Sequence, residues 1–373
     1  IENSNIIIPL NNTVKNPDEI FKISEAEFVI KVYDEVPEII WKNNQLKHEI
    51  FQGLMELEHP GLVLFSSGST GKSKASVHDF VFLLNKFKAE RQAFRTITFL
   101  LFDHIGGINT LFYVLSNTGM IVCPDSRDPE SICKIIEKYQ VELLPTSPTF
   151  LNMILISEVY KKYNLESLKI VTYGTEAMPE YTLKKFHDLF PKVQFKQTYG
   201  LSELGIMRSK SKSSNSLWMK VGGEDYQTKI KDGVLYIKAK TAMLGYLNAP
   251  SPFDDDGWFN TQDRVEKDGE WIKILGRETD IINVGGQKVY PAEIESVLLE
   301  LDNIVEVSAY GVSNPIMGNV VAARINLNQN EELFSLKKRI RNFCKNRLES
   351  FKIPAVIKIT DKKQISNRFK KIR

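Results

Sequence analysis

Leu62-Val63-Leu64-Phe65-Ser66-Ser67-Gly68-Ser69-Thr70-Gly71-Lys72-Ser73-Lys74 passes from four apolar residues into a loop of small, hydroxylated and basic ones. Such a run, closed by Ser and Gly, reads as a buried strand that delivers a flexible turn to a sheet edge. The turn suits phosphate: small residues let backbone N–H groups converge on an anion, hydroxyls donate further hydrogen bonds, and Lys72 and Lys74 add positive charge. An ordinary surface turn favours the same residues, so the surroundings must decide. Val77, Phe80, Val81, Leu84 and Phe87 recur with a helical period, which predicts a helix over 76–87, directly after the loop.

Gly71-Lys72-Ser73 matches the end of the Walker pattern G-x-x-x-x-G-K-[ST], but Ser66 stands where its first Gly belongs. Outward from the loop, residues 6–10 read as a short strand, 17–24 as a helix and 27–32 as a strand. Downstream, buried strands at 96–102, 120–123, 143–145, 169–172 and 194–197 alternate with helices at 109–117, 129–139, 149–161 and 180–189. That alternation argues a mostly parallel α/β sheet, with sites at the carboxyl ends of the strands. From 229 to 274 short strands with Asp-Gly turns (232–233, 256–257, 268–269) replace it, a β-rich section. Helix 291–301, strands 305–312 and 320–327, helix 331–348 and strand 355–359 then describe a small α+β unit. The expected division is 1–276 and 277–373.

A chain of 373 residues is too long for one simple core. A formal charge of +3 is too small to argue for a nucleic acid or an anionic membrane as partner. Apolar runs such as 97–101 and 120–123 fall far below the ~20 residues of a membrane helix. Cys123, Cys133 and Cys344 have neither paired nor metal-ligand spacing, so a reduced, cytoplasmic protein is expected. The chain begins at Ile1 with no signal-peptide pattern, and a trimmed N-terminus is expected.

Three further stretches carry a specific resemblance. Tyr199-Gly200-Leu201-Ser202-Glu203 resembles the Y-G-x-T-E box of the adenylate-forming enzymes, the superfamily of acyl-CoA synthetases, luciferases and peptide-synthetase adenylation domains. Residues 258–263, Trp-Phe-Asn-Thr-Gln-Asp, are similar to its G-W-F-x-T-G-D box, with Gln262 for Gly. Residues 276–295 are close to G-R-x-D-D-x-I-K-x-x-G-x-R-I-x-P-x-E-I-E, and the Ser/Thr/Gly-rich loop is similar to the superfamily's phosphate loop. Ile7-Ile8-Pro9-Leu10 resembles its V-P-L segment, which implies an N-terminal subdomain that is shortened or partly absent. The implied fold is a large N-terminal region of mostly parallel sheets with flanking helices, followed by a small mobile C-terminal domain.

The resemblance implies that a carboxylate attacks the α-phosphate of ATP, expels pyrophosphate and forms an acyl-adenylate, from which a thiol of CoA or of a carrier protein's phosphopantetheine displaces AMP. Negative charge builds on oxygens in both halves, so donors and cations are what the protein must supply. Ser66, Ser67, Gly68, Ser69, Thr70, Gly71 and Lys74 would then cradle the phosphates, and Glu203 would hold Mg²⁺. Tyr199 would stack on adenine beside Gly174, Thr175, Glu176, Thr198, Gly200 and Ser202, with Asp263 and Arg277 on the ribose. Lys370 matches the catalytic lysine of a P-x-T-x-S-G-K-x-x-R pattern, with Phe369 for Gly, Arg368 for Ser and Lys371 one register away. His104 would close on the substrate carboxylate, although Phe102-Asp103 also resembles the F-D pair of amino-acid-activating domains. Asp103, Ile105, Tyr173, Ala177 and Met178 would shape the acyl pocket, Gly285 and Gly286 the pantetheine path, and Thr279 the hinge. Implied partners are a small carboxylic acid and CoA or a separate acyl carrier protein. Loading a carrier with an amino acid, a P-loop NTPase, and a non-catalytic nucleotide-binding relative remain alternatives.

Overall fold

The structure, a computed structural model, describes residues 3–12, 14, 16–33, 36–42, 44–67, 73–362, 364–366 and 369–371. Four of the expected phosphate-loop residues, Gly68, Ser69, Thr70 and Gly71, lie outside that set, as do Lys72 and Arg368. The elements flanking the loop correct the expected helix. Gly61–Ser67 and Ser73–Asp79 are antiparallel strands, with Ser66 opposite Lys74. Ala75, Ser76, Val77 and His78 are all fully buried, so this part of the second strand has two covered faces and its burial does not alternate. The helix is confined to Phe80–Asn85, where the Asp79 carboxylate accepts from the Val81 N–H at 2.9 Å. A strand–loop–strand hairpin is not the strand–loop–helix setting of a Walker loop, which removes that alternative.

The predicted parallel sheet is present. Arg95–Ile97 lies between Met120–Val122 and Leu143–Thr146, with Ile170–Tyr173 and Gln194–Gln197 following outward, all parallel. Helices Pro129–Tyr139, Pro148–Ser157 and Glu180–Leu189 connect its strands, around a core that includes Phe99, Ile132, Phe150, Val171 and Phe195. The strand expected over 96–102 is shorter, and the helix expected from 109 begins at Ile105 because His104 caps it. A second sheet adds Ile6–Ile7, parallel, and Gly245–Tyr246, antiparallel, to the two hairpin strands. The β-rich section is a six-stranded antiparallel sheet that begins at Arg208 rather than 229 and ends at Arg277.

Beyond Arg277 come a single turn, Glu278–Asp280, and the hairpin Ile282–Val284 and Gln287–Val289, which reverses at Gly285 and Gly286 with φ of +56° and +86°. Strands Ile304–Asn314, Gly318–Leu327 and Val356–Ile359 and helices Pro291–Leu298 and Leu333–Cys344 surround a separate core containing Val289, Ile294, Val307, Ile325 and Ile340. The last described residues leave that unit. Phe369 packs its ring 5.1 Å from Phe99 and 5.4 Å from Phe150, in the core of the parallel sheet. Among the described residues no helix is long and apolar enough to cross a membrane.

Candidate active site

A cavity of about 500 Å³ opens at the carboxyl ends of the parallel strands, where sites of α/β sheets form. The parallel sheet contributes Thr146, Thr172, Gly174, Thr175 and Thr198, each at or just beyond a strand end. Hairpin residues Ser66 and Lys74 enter from one side, His104 and Ile105 from the start of a helix, and Gly200, Ser202 and Glu203 from the short strand Gly200–Leu201 and the turn after it. Thr261, Gln262, Arg277 and Thr279 close another side, and Lys370 arrives from the C-terminal segment. Among the described residues, Lys74, Arg277 and Lys370 thus line the cavity with one carboxylate, Glu203, and several hydroxyls. The Thr146 hydroxyl is buried, with no hydrogen-bond partner among the described residues.

Local bonding orients these groups. His104 Nδ1 accepts from the Gly106 N–H at 3.0 Å and caps the helix, so the ring proton of the neutral imidazole resides on Nε2. Glu203 Oε1 accepts from the Tyr246 hydroxyl at 2.6 Å, and the Lys74 ammonium lies 5.2 Å from the centre of the same ring. Burial and the Glu203 charge push the Tyr246 pKa up, which keeps the phenol a donor. Lys370 is pinned through its backbone: its N–H donates to Ser366 Oγ at 3.2 Å and its carbonyl accepts from the Ser366 N–H at 2.9 Å. Lys371 points elsewhere, with Nζ 2.8 Å from the buried Glu295 carboxylate.

Several expected site residues sit outside the cavity. Tyr199 and Asp263 are buried behind it and bond each other, the phenol donating to Asp263 Oδ2 at 2.5 Å. Burial, before any other cause, raises the Asp263 pKa, and Arg277 Nε approaches Oδ1 at 3.6 Å. Tyr173 fills the core of the parallel sheet. Asp103 accepts from Asn11 and is absent from the cavity lining. Both oxygens of Glu176 are engaged, one with the Thr149 N–H at 2.8 Å and one with the Lys371 N–H at 3.2 Å. Ala177 and Met178 border neighbouring grooves, and the turn at Gly285 and Gly286 is likewise absent from the lining. The tightness of Gly174 comes from Thr198: a Cβ there would stand 2.6 Å from Thr198 Oγ1.

The AMP-binding enzyme model matches residues 11–247, and the model of the AMP-binding enzyme C-terminal domain matches 293–370. The chain belongs to the AMP-binding enzyme family. Within the family, Acyl-CoA synthetase 7 of Caenorhabditis elegans is 31% identical over 68% of this chain and 53% of its own length. Indoleacetate–CoA ligase of Aromatoleum aromaticum is 27% identical over 71% of this chain and 56% of its own. The chain therefore spans a little over half the length of these relatives. Among solved structures, the anthranilate CoA ligase AuaEII in complex with anthranoyl-AMP shares the fold, with a TM-score of 0.73 at 19% identity over 83% of this chain and 65% of that one.

Proposed function

We propose that the protein uses ATP to activate a carboxylic acid as an acyl-adenylate and then passes the acyl group to a thiol, that of CoA or of a carrier protein's phosphopantetheine. The observation that carries this proposal is the convergence of Lys74, Arg277 and Lys370 on a hydroxyl-rich cavity with one carboxylate, in a chain of the AMP-binding enzyme family. Three cations suit a reaction in which carboxylate and triphosphate must approach each other. The acid's oxygen attacks the α-phosphorus, the bond to the bridging oxygen breaks, and pyrophosphate leaves with the electron pair. Lys370 neutralises the two anions as they meet, and Lys74 and Ser66 take the charge that grows on the leaving group. The hydroxyls of Ser69 and Thr70 extend the same chemistry by sequence. His104 presents Nε2–H as a donor to the acid.

Glu203, the one carboxylate lining the cavity among the described residues, suits Mg²⁺ shared with phosphates, which needs one or two protein carboxylates and supplies charge beside the leaving group. In the second half-reaction the thiolate attacks the acyl carbon and AMP departs. A turn of the C-terminal unit about Thr279 would withdraw Lys370 and bring Gly285 and Gly286 to the thiol's path.

Exchange of labelled pyrophosphate into ATP, screened over fatty, aryl and amino acids, tests the proposal. Acid-dependent exchange is expected, falling by ~10²–10³ in Lys370→Ala. Wild-type exchange in that variant removes Lys370 from the chemistry, exchange with amino acids alone makes the protein a carrier-loading enzyme, and no exchange with any acid rejects acid activation.

A further inference from the structure

A second cavity, of about 520 Å³, shares the residues Thr198 and Ile206 with the first, so the two chambers meet at one wall. Its lining includes Lys86, Arg91 and Arg208 and contains no Asp or Glu among the described residues. Lys86 is fixed at the wall itself. Its ammonium donates to the Ile206 carbonyl at 2.8 Å and to Asn109 Oδ1 at 2.5 Å, both neutral acceptors. Desolvation, followed by the nearby charges of Arg91 and Arg208, lowers the Lys86 pKa to about 7. A chamber lined by Arg91, Arg208 and a partly protonated Lys86, with no carboxylate among the described residues, carries a positive potential that favours an anion.

We propose that this chamber receives an anionic group at the far end of the acid, so that the substrate is a dicarboxylic acid or an acid with a comparable second anion. The inference rests on the acid-activation proposal above. The reacting carboxylate occupies the first chamber near His104 and Lys370, the spacer passes Thr198 and Ile206, and the distal anion meets Arg208, Arg91 and the Lys86 ammonium. An acid with an apolar end finds no partner there and strips water from the cations it covers, which supplies discrimination against the wrong substrate.

Pyrophosphate exchange needs no thiol and isolates the acid. Succinate, adipate and suberate are compared with butyrate, hexanoate and octanoate, and calorimetry measures binding of the same acids without ATP. The diacids are expected to win by about ten-fold or more in kcat/KM, and that ratio should collapse by about ten-fold in Arg208→Gln and again, separately, in Arg91→Gln. Both side chains are exposed, so neither substitution disturbs the core. Exchange that favours the monoacids overturns the inference and leaves acid activation standing. Absent exchange with diacid-selective binding that Arg208→Gln abolishes rejects acid activation and keeps the anion chamber. Unchanged exchange ratios in both variants, with a raised KM for CoA, assign the cations to CoA phosphates and overturn the inference.

Discussion

Lys370 and Lys371 are neighbours in sequence with different surroundings, one lining the cavity and one paired with Glu295 in the protein interior. Spacing to Arg373 singles out Lys370 in the sequence, but the partner of Lys371 is 76 residues away and leaves no local sign. Ser66, Lys74, His104, Glu203 and Arg277 stand in or beside the stretches that carry the family resemblance, and the fold brings them to the same cavity. Tyr246 is not readable: it reaches Glu203 only because a two-residue strand pairs with Ser76 and Val77. Tyr199 and Asp263 each fit a nucleotide role in sequence, whereas folding joins them to each other. His78 adds a pH dependence of its own. It is fully buried, lies 2.6 Å from the Ser202 carbonyl through Nε2, and burial lowers its pKa from 6.5 to about 4. Below 6.5 the unfolded chain takes up a proton that the folded chain refuses, so stability falls with pH down to about 4 and levels off beyond, a loss of about 3 kcal/mol from this group. Urea midpoints measured across that window should show the loss in the wild type and a flatter profile in His78→Gln; equal slopes would exclude His78 as the source.

At the scale of elements, the hairpin Gly61–Ser67 and Ser73–Asp79 is where sequence periodicity misleads. Val77 enters an apparent helical series with Phe80 and Leu84 although it belongs to a strand; Lys74-Ala75-Ser76-Val77-His78 does alternate polar and apolar, but the run is short and Ser76 and His78 are buried like their apolar neighbours, so the helical spacing outweighs it. The parallel sheet is readable for the opposite reason, since four of its five strands are each followed by a helix, two of them with a marked start. Pro129 and Pro148 open two of these helices, behind the caps Asp128 and Ser147. The turn Glu278–Asp280 joins the two units and puts Thr279 on the cavity. Thr279→Pro fixes one backbone angle there. It should retain pyrophosphate exchange while slowing thioester formation about ten-fold or more, as conformational steps govern such reactions. Measuring both half-reactions decides the matter, and equal losses would show that the turn is not a pivot.

Across the whole molecule, Phe369 links the two units. Its φ of +52° is left-handed, in a place where the resembled pattern has glycine, and its ring occupies the core between Phe99 and Phe150. Ser147 Oγ donates to its carbonyl at 2.8 Å, and the next residue is Lys370. The strained backbone persists because aromatic packing and this hydrogen bond hold it. Truncating a half-buried Phe should weaken the closed arrangement by about 2 kcal/mol, which is about thirty-fold in its population. Phe369→Ala is therefore expected to reduce pyrophosphate exchange by that order while the thioester step, assayed from preformed acyl-adenylate, is not reduced; parallel losses would mean that the ring does not govern closure. The domain linkage was hidden in sequence because Phe369 appears there only as a departure from glycine, with its partners more than two hundred residues earlier. The seal is also apolar, and apolar contacts loosen in the cold. Chilling should favour the open arrangement, making adenylation fade on cooling faster than bond chemistry alone requires and giving closure a negative heat-capacity change.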